Sequence, residues 1–155
     1  MNDVIHKILD NEVYYDLDEK KSCFYINISL GSTSMIIRID ELSDVPIYMQ
    51  IRNQIVMGIS GGELAAGEQL PTVRALALEM GINIMTVSKA YQLLKTEGYI
   101  MTDRKNGARV RMEIAKHASI SEANKTELRR IVSEARISGV AKKEIIALID
   151  EYYGE

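Results

Sequence analysis

Hydrophobic positions from residue 44 onward follow a helical period. The first helical segment carries one apolar stripe of isoleucines spaced four residues apart: Ile47, Ile51, Ile55 and Ile59. Pro46 suits the first turn of this helix, because proline lacks the N–H that would be unpaired there. The Gly61-Gly62 pair is a typical end signal. The pattern therefore predicts one amphipathic helix that begins near Pro46 and ends at the glycine pair.

The next segment, LPTVRALALEMGINIMTVSKAYQLLKTEGYI (residues 70–100), predicts two short helices separated by a tight turn. Thr72 is the expected N-cap of the first helix and Asn83 that of the second. Gly81 supplies the turn because glycine tolerates positive φ, and Gly98 ends the second helix. One face of the second helix is apolar: Val87, Ala90, Tyr91 and Leu94. Two helices joined in this way form a helix-turn-helix, which presents its second helix to the DNA major groove.

A β-hairpin is predicted directly after the second helix. Tyr99–Thr102 and Ala108–Met112 have strand character, and Asn106-Gly107 between them is a strong turn signal. Three helices followed by a hairpin predict a winged helix-turn-helix. The predicted bounds are 43–112 for this DNA-binding domain, about 72–97 for the helix-turn-helix and 99–112 for the wing.

The two ends of the chain differ from this central domain. Residues 1–42 are rich in β-branched and aromatic residues, which predicts a few short strands in an extension without an assignable role. Residues 113–155 predict two helices on either side of Gly139, an αα-hairpin. Their apolar faces comprise Leu128, Ile131, Val132 and Ala135, then Ile145, Ile146, Leu148, Ile149 and Tyr152. Two such helices cannot bury both faces alone, so they are expected to pack on the winged domain or on a second copy.

The predicted fold is therefore mostly α with a small β-wing: an N-terminal winged helix-turn-helix plus a C-terminal αα-hairpin dimerisation tail. Net charge and pI, −3 and about 5.5, argue weakly against nucleic-acid binding. However, residues 43–112 carry eight Lys/Arg against six Asp/Glu, whereas 1–42 carry four against eight and 113–155 seven against eight. The basic excess thus coincides with the predicted DNA-binding domain.

Cys23 is the single cysteine, so an internal disulfide is excluded. The N-terminus lacks a signal-peptide pattern, and no apolar run approaches the roughly 18 residues that span a bilayer. A cytoplasmic location without a membrane partner is expected, on the nucleoid when the protein is bound to its operator.

Polar side chains gather where the helix-turn-helix would meet DNA. Hydroxyl, amide and cationic groups there can contact phosphates and base edges. The candidates are Arg74, Asn83, Thr86, Ser88 and Lys89, with Arg104, Lys105, Asn106 and Arg109 in or beside the wing. Each also has a structural interpretation. Lys89, Gln92 and Lys95 could belong to the solvated face of an amphipathic helix. Asn83 could act only as a helix cap, and Thr86 could form only a local hydrogen bond. Arg74 could form an ion pair with Glu68 or Glu79, and Arg104 and Lys105 could simply make the hairpin soluble.

The segment from PIYMQI to GYI resembles the N-terminal domain of the GntR family of bacterial transcription regulators. The shared motifs are PIYxQI, G-x-L-x-x-G-x-x-LP, the R-x-LA pair from Arg74, NxxTVxxAY from Asn83, and LxxxGYI. The tail ARISGVAKKEIIALIDEYY is similar to that of the YtrA-like subfamily, whose members are dimeric repressors that often control transporter genes. The resemblance implies DNA contacts at Arg74, Thr86, Ser88, Lys89 and the wing glycine Gly107.

Three features depart from the family pattern. Many members carry an arginine that contacts bases where this chain has Ile84, and here Ile84 or Met85 offers only apolar contact with a thymine methyl. Lys105 replaces the first glycine of a G-x-G wing. Members of the subfamily usually begin near the position of Met35, so residues 1–34 are either an extension or upstream sequence read from an alternative start.

The expected function is that of a sequence-specific transcription regulator. The protein is expected to be a repressor that forms a homodimer through its C-terminal helices, binds an inverted-repeat DNA operator and controls transporter genes. The alternative is a protein-interaction module without specific DNA recognition, which the acidic balance and Ile84 would favour. His6 and His117 have no ligand cluster beside them, and no phosphate-binding or nucleophile motif occurs, so no enzyme, cofactor or metal is expected. The tail is too short to enclose an effector pocket within one subunit. A ligand between two tails, or a sensor role for the N-terminal segment, stays open, and the effector is unknown.

Overall fold

The computed structural model describes residues 13–15, 23–30, 33–103, 107–113 and 120–154. Its strands are β1 (Val13–Tyr15), β2 (Cys23–Leu30), β3 (Thr33–Asp40), β4 (Ile100–Asp103) and β5 (Gly107–Val110). Its helices are α1 (Ile47–Ser60), α2 (Val73–Glu79), α3 (Ile84–Thr96), α4 (Glu122–Ile137) and α5 (Lys142–Tyr153). The chain forms two compact units, Met1–Ala115 and Lys116–Glu155. The predicted class, mostly α with a small β-wing, is confirmed.

The helix-turn-helix consists of α2 and α3, and its predicted caps are present. The Thr72 Oγ1 accepts a hydrogen bond from the Ala75 backbone N–H at 3.1 Å, and the Asn83 Oδ1 accepts one from the Met85 N–H at 2.8 Å. Gly81 joins the two helices at a φ of 61°, in the left-handed region that glycine enters without a steric penalty. These local features fix where α2 ends and α3 begins.

Among the described residues of the first unit, α1, α2 and α3 contribute to a common hydrophobic core. The predicted α3 face is fully buried, as are Ile51 and Ile55 of the α1 stripe, while Ile47 and Ile59 pack at the margin. The rest of this core from residue 64 onward is Leu64, Leu70, Leu76, Ala77, Met80, Ile100, Ala108 and Val110. The pattern of apolar positions therefore identified the core-facing side of α1 and α3.

Strand β3 joins the same core from the N-terminal side. It is the edge strand of an antiparallel sheet of order β1-β2-β3, and Met35, Ile37 and Ile39 are buried among the helix side chains. Gly58 of α1 permits this packing, since a Cβ there would lie 3.1 Å from the Met35 sulfur. The short strands predicted for the N-terminal region are thus present, and the third is part of the core around the helix-turn-helix.

Two glutamines of α1 cover the free edge of β3. The Gln50 side chain accepts from the Asp40 N–H at 2.9 Å and donates to the Asp40 carbonyl at 2.8 Å. Gln54, one turn later, makes the same pair of bonds with the Arg38 backbone. An edge strand otherwise presents unpaired N–H and C=O groups, so these amides replace a missing neighbouring strand.

The segment before α2 pairs with the wing through an isolated β-bridge, which the sequence pattern did not predict. Gln69, in the connector before α2, forms an antiparallel bridge with Arg109 of β5. The Leu70 N–H donates to the Ala108 carbonyl at 2.9 Å, and the Val110 N–H donates to the Glu68 carbonyl at 2.8 Å. The connector therefore ties the wing to the start of the helix-turn-helix.

In the second unit, α4 and α5 follow one another across a turn at Gly139, as predicted. The two helices pack on each other little. Most of the predicted apolar faces are between 38% and 75% exposed: Leu128, Ile131, Val132, Ile146, Leu148, Ile149 and Tyr152. The two helices of the second unit therefore do not cover each other's apolar faces.

Candidate nucleic-acid interface

Helix α3 is anchored on one side and open on the other. Its four buried residues hold it on the core, so the opposite side faces solvent, with Met85, Lys89 and Gln92 exposed. Asn83 lies at its beginning, where its side-chain oxygen is occupied by the capping bond to Met85. Thr86 is half-buried beside the core face. The helix thus has the exposure that a recognition helix requires.

Ser88 and Gly107 both line a groove between α3 and the wing. This α3–wing groove has a volume of about 290 Å³ and is lined by Thr72, Val73, Ser88, Tyr91, Gln92, Lys95, Thr102, Asp103, Gly107 and Ala108. Gly107 begins β5 at a φ of 70°. Because Ser88, Gln92 and Lys95 recur at helical spacing, one edge of α3 forms the wall of the groove.

Lys89 lies on the other flank of α3, toward α1. Its ammonium nitrogen is 3.8 Å from the centroid of the Tyr48 ring, a cation–π contact. The side chain remains exposed. Lys89 is therefore available to a phosphate, but it also has a contact with α1 that the sequence did not reveal.

Arg74 is exposed in the first turn of α2. Among the described residues its guanidinium takes part in no ion pair, so the predicted alternative of a bond to Glu68 or Glu79 is not formed. An arginine without an ion-pair partner can turn toward a phosphate or a guanine edge without first breaking a salt bridge. Arg74 is therefore exposed and available to contact DNA.

The wing candidates fall into two groups. Arg109 lies on β5, where its guanidinium is 3.8 Å from the Asp103 carboxylate of β4, and within the described residues its buried Nε has no hydrogen-bond partner. A phosphate would compete with Asp103 for this group. Arg104, Lys105 and Asn106 lie outside the described residues.

Tyr91 connects the two helices of the motif. Its hydroxyl donates to the Pro71 carbonyl at 2.9 Å, just before α2, while its ring is buried in the core. Burial, and secondarily the charge of Glu79, raise the pKa of the Tyr91 hydroxyl well above its ordinary value. Burial also raises the pKa of the Glu79 carboxyl. Tyr91 thus fixes the beginning of α2, where Arg74 lies, relative to α3.

An ion pair fixes the opposite end of α3 to α1. The Arg52 Nε is 2.8 Å from a Glu97 carboxylate oxygen, and the Arg52 guanidinium lies 5.6 Å from the Tyr99 ring centroid. Sequence reasoning missed these contacts and that of Tyr48 with Lys89. The partners are separated by about forty residues or more, so no local period links them.

Two further features of the described parts of the chain bear on function. No group of three His, Cys, Asp or Glu side chains there is placed to hold a metal ion. None of the helices described is long and apolar enough to cross a membrane.

Two capped helices are joined by a glycine turn, pack on a third helix and are followed by a β-hairpin. This arrangement defines a winged helix-turn-helix protein. The family described as "Bacterial regulatory proteins, gntR family" matches residues 47–110, and the transcriptional repressor YtrA of Bacillus subtilis is 35% identical over 119 residues, which cover 75% of this chain and 91% of that protein. The chain belongs to the GntR family and is a YtrA-like transcription regulator with a DNA-binding helix-turn-helix.

Other comparisons agree. The HTH-type transcriptional regulator Rv1152 of Mycobacterium tuberculosis is 31% identical over 108 residues, 70% of this chain and 86% of that protein. The crystal structure of a transcriptional antiterminator from Listeria monocytogenes is similar with a TM-score of 0.65 and 34% identity, covering 74% of this chain and 87% of that one. These relatives are regulators, and no enzyme family is indicated.

Proposed function

We propose that this protein is a homodimeric repressor that binds an inverted-repeat operator through α3 and the wing and controls transporter genes. The observation that carries the proposal is the exposed outer side of α3, which bears Lys89, beside the α3–wing groove, which Ser88 lines. The name of the B. subtilis relative supports repression. The apolar surface of α4 and α5 supports pairing of two tails, which would join two recognition helices in one dimer.

Sequence-specific binding requires both phosphate and base contacts. Exposed Arg74, Lys89 and Lys95 lie in or beside this surface, and Arg109 is available if Asp103 releases it. Each phosphate neutralised by such a cation releases counterions, so affinity falls steeply with salt. The predicted wing cations Arg104 and Lys105 belong to the same proposal.

Salt dependence provides the first test. Duplex fragments that bind the full chain at low salt should be recoverable from a random DNA pool. The affinity of the protein for these fragments should fall about a thousandfold between roughly 50 and 200 mM salt, as expected for several phosphate contacts per dimer. Fluorescence anisotropy across a salt series measures this. If no duplex binds at low salt, the alternative of a protein-interaction module without DNA recognition is favoured.

Single substitutions test the orientation of the surface. Arg74→Ala should weaken operator binding by about tenfold or more while leaving thermal stability unchanged, because the side chain is exposed and unpaired. Lys89→Ala should also weaken binding, and in addition should lower the free energy of unfolding by up to about 1 kcal/mol through loss of the Tyr48 contact. Lys143→Ala, which removes an equal charge from exposed α5, is the control. Unchanged operator affinity in Lys89→Ala would contradict the proposed orientation of α3.

A further inference from the structure

The first turn of α3 presents apolar rather than polar side chains to solvent. Ile84 is 41% and Met85 69% exposed, and neither belongs to the hydrophobic core. Position 84 begins the helix and position 85 follows it, which is the part of a recognition helix that enters the major groove. Two adjacent apolar side chains at this point would therefore be among the first groups to meet the base edges.

Few polar groups accompany these apolar side chains in the same turn. The Asn83 side-chain oxygen accepts the capping bond from the Met85 N–H, so one of its two acceptor sites is occupied. Thr86 is half-buried, and Ser88 lies one turn further on, in the wall of the α3–wing groove. The first turn of α3 therefore combines a few hydrogen-bonding groups with two exposed apolar side chains.

Thymine is the base whose chemistry matches this surface. In the major groove it alone among the four bases presents a methyl group, and apolar side chains discriminate it from cytosine without a hydrogen bond. Isoleucine offers a branched, rigid apolar end, whereas methionine is unbranched and adapts its shape to a neighbouring group. Together they can cover methyl groups on adjacent base pairs.

We propose that Ile84 and Met85 determine specificity by contacting thymine methyl groups, so that each operator half-site carries thymine opposite the first turn of α3. This inference rests on the proposed function. In this arrangement the first turn of α3 recognises bases through apolar contact, whereas the nearby cations contact phosphates and orient the protein on the DNA.

Deoxyuridine in place of thymine tests this directly. Deoxyuridine keeps base pairing and the O4 acceptor and lacks only the methyl. In an operator selected by the full-length protein, replacement at the contacted position should reduce affinity about fourfold for each methyl lost, and replacement at other thymines should have little effect. Ile84→Ala and Met85→Ala should bind the thymine operator more weakly and should show a smaller loss with deoxyuridine.

Leu78→Ala is the matched control. Leu78 is an equally apolar side chain, 84% exposed on α2, and its removal should leave the full sensitivity to deoxyuridine. Unchanged affinity with deoxyuridine at every position, or full sensitivity retained in both Ile84→Ala and Met85→Ala, would overturn the inference while leaving DNA binding itself intact. Failure of the parent protein to bind any duplex would instead overturn the proposed function, and this inference with it.

Discussion

Ile131→Asp is expected to convert a dimer into a monomer and to lower operator affinity by a hundredfold or more. Ile131 is 48% exposed on α4, so the substitution removes no core contact within the chain. If two tails pair through this surface, the new carboxylate would be buried opposite apolar side chains, which costs several kcal/mol. Two linked recognition helices gain about 10²–10⁴ in affinity over one, and this gain would be lost. Sedimentation and operator titration measure the two effects.

The control for this prediction is Ser133→Asp, which places the same charge on the same helix at an exposed polar position. It should stay dimeric and bind DNA nearly as tightly as the parent. A second form of the test is a chain ended after Met112, which retains nearly all of the first compact unit. A dimeric Ile131→Asp variant, or a dimer formed equally well after truncation, would place the interface elsewhere.

The parts of the fold that the sequence predicted depend on local patterns. Thr72, Gly81 and Asn83 act on residues within a few positions, so their caps and turn could be assigned from spacing alone. The burial of α3 followed from its period, because a helix on a core must turn its apolar face inward. The wing hairpin was predicted from Asn106-Gly107. Its two strands begin and end within two residues of the predicted bounds.

What could not be predicted depends on contacts between distant segments. Nothing local indicates that Gln50 and Gln54 bind the β3 backbone, because any exposed helix face carries glutamines. The assignment of β3 to the core likewise requires knowing that Met35, Ile37 and Ile39 meet α1. At the candidate site the same limit applied to Lys89, whose ring partner lies about forty residues earlier.

Tyr91→Ala is expected to be the most damaging single substitution in the first unit, lowering the free energy of unfolding by about 3–5 kcal/mol. The ring is buried in the core, and the surrounding side chains from three helices and the wing can collapse only partly around the cavity. The hydroxyl also holds the Pro71 carbonyl at the beginning of α2. Operator binding should fall with stability, since α2 and α3 would lose their fixed relation. Urea unfolding of the full chain measures the change.

Tyr91→Phe separates the ring from the hydroxyl. It keeps the packing and removes one hydrogen bond, so the loss should be only about 1 kcal/mol at neutral pH. The pKa of Tyr91 is raised in the folded protein by burial and by Glu79, so the folded state keeps its proton where an unfolded tyrosine ionises. The stability contribution of this group is therefore fully present below about pH 10 and decreases as the pH rises further. The parent should lose stability more steeply than Tyr91→Phe as the pH rises from about 10 to about 11, and the two curves should converge. If the stability curves of the parent and Tyr91→Phe run parallel over that range, the hydroxyl is not buried as described. If Tyr91→Phe loses as much free energy of unfolding as Tyr91→Ala, the stabilisation comes from the hydrogen bond rather than from the ring.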